Sequence, residues 1–139
     1  MKRCGAILLG MVFLLLWGSA LAEFAEAGSG IQPRYDLTDT VTAGLSISSS
    51  GVATCKGRIA PTYDDCTSSV TVRLQRKSGN SWVTLRTWTA SGTGTHGSSA
   101  GGTYTLTTHG TYRVYVSGTV VASDGTREPV SKSTPNKYY

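Results

Sequence analysis

The 139-residue chain is short of the side chains that chemistry most often uses, with two histidines, three cysteines and eight carboxylates. His96 and His109 have no further histidine or cysteine at ligand spacing, so no metal site and no cofactor is read from the sequence. Many serines are available to a Ser–His–Asp arrangement, but no Gly-x-Ser-x-Gly elbow or comparable context is read in support of one. Asp64 and Asp65 are neighbours, and on extended chain their side chains diverge. They read as turn formers and not as a catalytic carboxylate pair. Leucine and glutamate are scarce beside Ser, Thr and Gly, and no segment patterns as a long helix. The positive charges are scattered and not massed, which argues against nucleic-acid binding.

The single long apolar run lies at the start. Lys2 and Arg3 precede residues 6–17, AILLGMVFLLLW, and Ala20-Leu21-Ala22 follows as a small-x-small cleavage motif. The run is shorter than the roughly 20 residues of a bilayer span. Residues 1–22 are therefore read as a secretory signal peptide cleaved after Ala22, with no membrane span left afterwards. Removing 22 of the 139 residues leaves 117, enough for one domain with a real core, and lowers the net charge from +5 to +3. Cys4 leaves with the signal. Two cysteines in an exported chain, Cys55 and Cys66, are most simply a disulfide, and so short a closed loop is worth about 2–3 kcal/mol.

After a small, acidic, Gly-containing lead-in at residues 23–34, strands follow one another closely. Val41, Ala43, Leu45 and Ile47 alternate with polar residues, as do Ala53, Cys55, Gly57 and Ile59. Val70, Val72 and Leu74 repeat the pattern in a third strand, and Tyr112, Val114 and Val116 in a later one with Arg113, Tyr115 and Ser117 on its other face. Residues 82–90 are ambiguous, since both parities carry apolar side chains. Residues 91–102, rich in Gly, Ser and Thr, read as a mobile loop. Asp124-Gly125 suits a two-residue type I′ hairpin turn. Pro129 confines a last strand within residues 127–133 to an edge, and residues 135–139 read as a tail. The expected fold is a single all-β antiparallel sandwich of about seven strands over residues 35–134, braced by Cys55–Cys66.

Two stretches carry a resemblance: VTVRLQRKSGNSW at residues 70–82 and GTYRVYV at 110–116. With Leu45-Ser46-Ile47 and Cys55, they resemble a family of small exported proteins of Gram-positive bacteria for which no activity is established. More loosely, they are similar to fibronectin type III and immunoglobulin-like sandwiches, whose Gly-x-Tyr-Arg-Val strand often carries a buried tyrosine. The resemblance implies a sandwich in an extracellular setting and brings no catalytic residue.

The function expected is a secreted, non-catalytic binding or structural module. Trp82 and Trp88 stand six residues apart on one strand, about 20 Å when extended. With Val83 and Leu85 inward, Trp82, Arg86, Trp88 and Tyr115 would form an exposed platform for cell-wall or extracellular polysaccharide. With the indoles inward, they fill the core instead; one in and one out is a third arrangement. Otherwise the loops at residues 61–65 and 91–102 would present an inhibitor or effector surface to a protein partner.

Overall fold

The computed structural model describes residues 35–139. The expected signal peptide and lead-in lie outside the described residues. Eight strands follow in order: β1 (Thr38–Ile47), β2 (Val52–Pro61), β3 (Thr67–Ser78), β4 (Ser81–Thr93), β5 (Ser98–Thr105), β6 (Thr111–Val121), β7 (Arg127–Ser133) and β8 (Lys137–Tyr138). They form two antiparallel sheets. One has the order β1-β2-β5, and the other β4-β3-β6-β7 with β8 also on β6. Among the described residues no helix is long and apolar enough to cross a membrane.

The alternating residues define the interior. Ala53, Cys55 and Ile59 from β2, Val70, Val72 and Leu74 from β3, and Tyr112, Val114 and Val116 from β6 are all fully buried. Two glycines act as sockets between the sheets. A Cβ on Gly57 would lie 2.5 Å from a Val72 methyl and 2.7 Å from a Val116 methyl; one on Gly118 would lie 2.5 Å from the Ile59 Cδ1. Each sheet thus lends the other a hole for a branched side chain. The core also closes on Tyr112, which is 1% exposed and whose hydroxyl donates to the Thr108 carbonyl.

The cysteines do not pair. Both thiols are free and buried, so the expected Cys55–Cys66 disulfide is corrected. Cys55 lies six residues before the end of β2, about 20 Å along an extended strand, and points into the core between the sheets. Cys66 sits beyond the loop that follows β2, where its carbonyl accepts from the Gly94 N–H. A disulfide needs Cα atoms about 4.4–6.8 Å apart. Ten residues between two cysteines permit a bridge only if the chain turns midway, and here most of them run straight.

The stretch at 91–102 is also corrected. β4 continues to Thr93 and β5 begins at Ser98, so most of the expected loop is strand. Its small residues serve close approach: a Cβ on Gly97 would meet the Ile59 carbonyl oxygen at 2.1 Å, and one on Gly101 the Cys55 carbonyl oxygen at 2.1 Å. The β6–β7 turn is a three-residue loop and not the expected two-residue turn, because Ala122 pairs with Thr126 and Gly125 takes φ 92°. β7 is the edge strand that Pro129 required. Residues 135–139 are docked: β8 extends the line of β7 along β6, and Tyr139 exchanges backbone hydrogen bonds with Gly110 and packs against the core. Across the sandwich, the Glu128 carboxylate ties β7 to the start of β1. It accepts from the N–H groups of Asp36 (2.6 Å) and Leu37 (3.0 Å) and from the Thr38 hydroxyl (2.7 Å).

Burial pushes the Cys55 thiol up to about 11, and burial followed by the neighbouring Asp65 charge raises that of Cys66. In the native protein at pH 8 neither should react with a thiol-specific disulfide reagent. Both should react on unfolding without prior reduction. Thiols that appear only after a reductant is added would restore the disulfide.

Candidate functional site

One irregularity decides which side chains face outward on β4. The β3–β4 register shifts between Leu74 and Gln75: Leu74 pairs with Arg86 and Gln75 with Thr84, leaving Leu85 as an extra residue. An extra residue inverts the parity of everything beyond it. Trp82, opposite Lys77, is on the outer face of the sheet. Trp88, opposite the buried Val72, is on the inner face. A Cβ on Gly102 would lie 2.6 Å from the Trp88 Nε1, so this indole lies across β5 and closes the edge of the core. The Arg86 guanidinium stays beside it, 5.8 Å from the ring. The four expected platform residues are therefore divided: Trp82 and Tyr115 share the outer face, while Trp88 and Arg86 line the rim of the core.

On the outer face a further residue joins the rings. The Arg113 guanidinium lies 4.1 Å from the Trp82 ring centroid and 5.6 Å from that of Tyr115. Its Nε donates to the Gln75 Oε1 at 2.8 Å, and the Gln75 Nε2 donates to the Thr84 hydroxyl at 3.3 Å. Arg73, opposite Tyr115, donates to the Ser117 hydroxyl at 3.0 Å. Trp82, Arg113 and Tyr115 thus form a braced line across β4 and β6, with β3 supplying the polar brace between them. Below it the face is a floor of hydroxyls. A shallow groove of about 500 Å³ is lined by Thr67, Ser69, Ser91, Thr93 and Thr119. A second, of about 370 Å³, runs from Tyr115 past Ser117 to Ser131.

Strand parity alone puts Arg113 on the outward face beside Tyr115, yet Arg113 is not among the site residues expected from the sequence. The signal was the shared parity of Arg113, Tyr115 and Ser117; what was missing was the register that brings Trp82 beside them.

Another depression, of about 640 Å³, lies on the other sheet between Thr42, Thr54, Lys56, Arg58, Ser99 and Thr103. It is roomier, but its lining holds no aromatic ring on which a flat ligand could stack. The expectation that the chain holds no Gly-x-Ser-x-Gly motif is corrected, since Gly97-Ser98-Ser99-Ala100-Gly101 spells one. Ser99 nevertheless sits within extended β5 and not at a sharp strand-to-helix turn. The histidines lie apart. The His96 carbonyl accepts from Arg58 at 2.9 Å in the β4–β5 turn, and His109 stacks on Tyr139 beside β8. Asp64 and Asp65 sit in the turn between β2 and β3 and are held by separate partners: Asp64 accepts from Thr95 and Asp65 from the Ser123 hydroxyl.

No family model, curated protein or solved structure matches the chain.

The Thr95 hydroxyl (2.9 Å), followed by its N–H (3.3 Å), holds the Asp64 carboxyl below the usual carboxylate range. A depressed carboxylate favours the fold above its unfolded value, about pH 4, and that contribution fades as pH falls through the folded value. Thr95→Val should move the Asp64 titration, followed by NMR, upward toward the ordinary value. It should also loosen the β4–β5 turn at neutral pH. An unmoved titration would assign the shift to another cause.

Proposed function

We propose that the protein is a secreted, non-catalytic binding module that holds an extracellular polysaccharide on the outer face of its five-stranded sheet. Export is read from the Lys2-Arg3, apolar-run and Ala20-Leu21-Ala22 pattern. The architecture is read as fibronectin type III-like. Two features support this: the strand order β1-β2-β5 against β4-β3-β6-β7, and the tyrosine at the start of β6 whose hydroxyl returns to the backbone four residues upstream. The observation that carries the binding reading is the Trp82–Arg113–Tyr115 line. The guanidinium is held by its hydrogen bond to Gln75, and the two rings flank it at 4.1 and 5.6 Å on an open, hydroxyl-lined sheet. Flat aromatic faces bind the C–H faces of sugars by dispersion, and the surrounding Thr and Ser hydroxyls and Gln75 amide supply directional bonds.

The test is affinity electrophoresis against a panel of soluble polysaccharides. Trp82→Ala and Tyr115→Ala should each weaken the retained polymer about tenfold, equivalent to about 1.4 kcal/mol. Trp88→Phe should leave retention unchanged and lower thermal stability instead, since Trp88 packs over Gly102. Retention that depends on Trp88 and not on Trp82 would move the site to the β4–β5 rim.

A further inference from the structure

We infer that the polysaccharide is acidic, carrying carboxylate or sulfate groups along its chain; this rests on the sugar-binding reading above and adds the ligand's charge. The side-chain carboxylates of the described residues are segregated along the strand axis, with Arg127 at the start of β7 a cation among them. All six carboxylates lie at one end of the sandwich: Asp36 and Asp39 where β1 begins, Asp64 and Asp65 between β2 and β3, Asp124 in the β6–β7 turn, and Glu128 where β7 begins. The register confirms that these are one end. Thr38 pairs with Pro61, Thr67 with Thr93 and with Val121, and Val121 with Arg127. Local bonds tie the end together, from Asp64 to Thr95, Asp65 to Ser123, Asp124 to Thr126 and Glu128 to Thr38.

The outer face of the five-stranded sheet carries no carboxylate among the described residues, while Lys77, Arg113 and Arg73 lie on it in successive rows. Arg113 pairs with Gln75, which stands two residues from Lys77 and two from Arg73 on β3. The rows are therefore about 7 Å apart along the strand. Surface cations ordinarily stand among carboxylates that neutralise them. Here the neighbours of the cations are two aromatic rings, a glutamine and hydroxyls. A neutral glycan gains nothing from that arrangement, because stacking and hydroxyl bonds suffice for it. A chain with an acid group at intervals gains an ionic partner at each row, and the rings beside those rows seat its sugars. Arg113 is also presented for this use. Its Nε–H is held by Gln75 and its plane by Trp82, which fixes the direction of the terminal nitrogens that fork onto a carboxylate or sulfate. The acidic end turns the same polymer away and so favours one orientation on the face.

The experiment uses protein secreted by cells expressing the full chain, and compares polygalacturonate with its fully methyl-esterified form, and heparin with its desulfated, carboxyl-reduced form. The expected result is that at least one acidic polymer binds ten or more times more tightly than its neutralised partner. That binding should fall at least tenfold between 50 and 500 mM salt. Lys77→Gln, at an exposed site, and Arg113→Gln should each weaken it about fivefold or more with the thermal midpoint held for Lys77→Gln. Trp82→Ala should weaken both forms alike. Equal, salt-insensitive binding of acidic and neutralised forms, lost in Trp82→Ala, would overturn the acidic ligand and leave the sugar platform standing. Binding of acidic polymers that ignores Trp82, Arg113 and Lys77 would overturn both.

Discussion

The structure depends on the contact between β2 and the β3–β6 pair, where each sheet lends the other a glycine socket. Gly57 receives the methyl groups of Val72 and Val116, and Gly118 receives Ile59. Side chains from the two inner faces of a sandwich must interdigitate within about 10 Å, and branched residues on both sides overfill that space unless some positions are empty. Glycine in a strand weakens it through chain entropy and the lack of a packing side chain. At these two positions that loss is offset by close approach of the sheets and by a run of β-branched residues with no exposed surface. The interior formed this way contains both thiols and needs no bridge between them.

A core so tightly determined along β2, β3 and β6 leaves β4 to adapt. Its neighbour β3 is fixed in register by β6, and β4 must close the core against β5 with one indole while matching the two-residue hairpin at Gly79-Asn80. The extra residue at Leu85 satisfies both demands. Before it, the strand follows the hairpin; after it, Trp88, Ala90 and Gly92 face inward. The consequence for function is indirect but complete. The same bulge that seats Trp88 in the core turns Trp82 outward, beside Arg113 and Tyr115.

This explains what could be read from the sequence and what could not. Strands with period-two patterning and one buried face were legible: β1, β2 and β6 almost to the residue, and β3 in its Val70, Val72 and Leu74 face but not in its ends, which reach Thr67 and Ser78. Pro129 announced an edge for the physical reason that it lacks an N–H. Three features were not legible. A bulge leaves no local mark, so the parity of Trp82 and Trp88 suggested one shared face. Gly-, Ser- and Thr-rich chain reads alike whether it is a loop or a strand pressed against a neighbour's carbonyls, and residues 98–105 are the second. The Cys55–Cys66 pairing followed from compartment and count, and neither carries information on how straight the intervening chain runs. The site shares the second limitation: Arg113 and Tyr115 are neighbours in pattern, but Trp82 reaches them only through the β3 register.

The proposed binding surface lies on a face and not an edge, in keeping with how the edges are treated. An open strand edge invites pairing with other chains, and native sheets blunt it. β4 carries an extra residue, β7 holds Pro129, which has no N–H to offer, and is continued by β8 only after a break, and β1 is tied at its start by Glu128. With backbone pairing discouraged along these strands, affinity has to come from side chains standing on the sheet. The five-stranded sheet is the wider of the two and carries the rings, the cations and the continuous hydroxyl floor. On the narrower sheet, Lys56 and Arg58 have room around them but no ring to seat a ligand. Width, stacking surface and unopposed charge coincide on one face only, and the acids that would weaken it have been placed where the turns use them as hydrogen-bond acceptors.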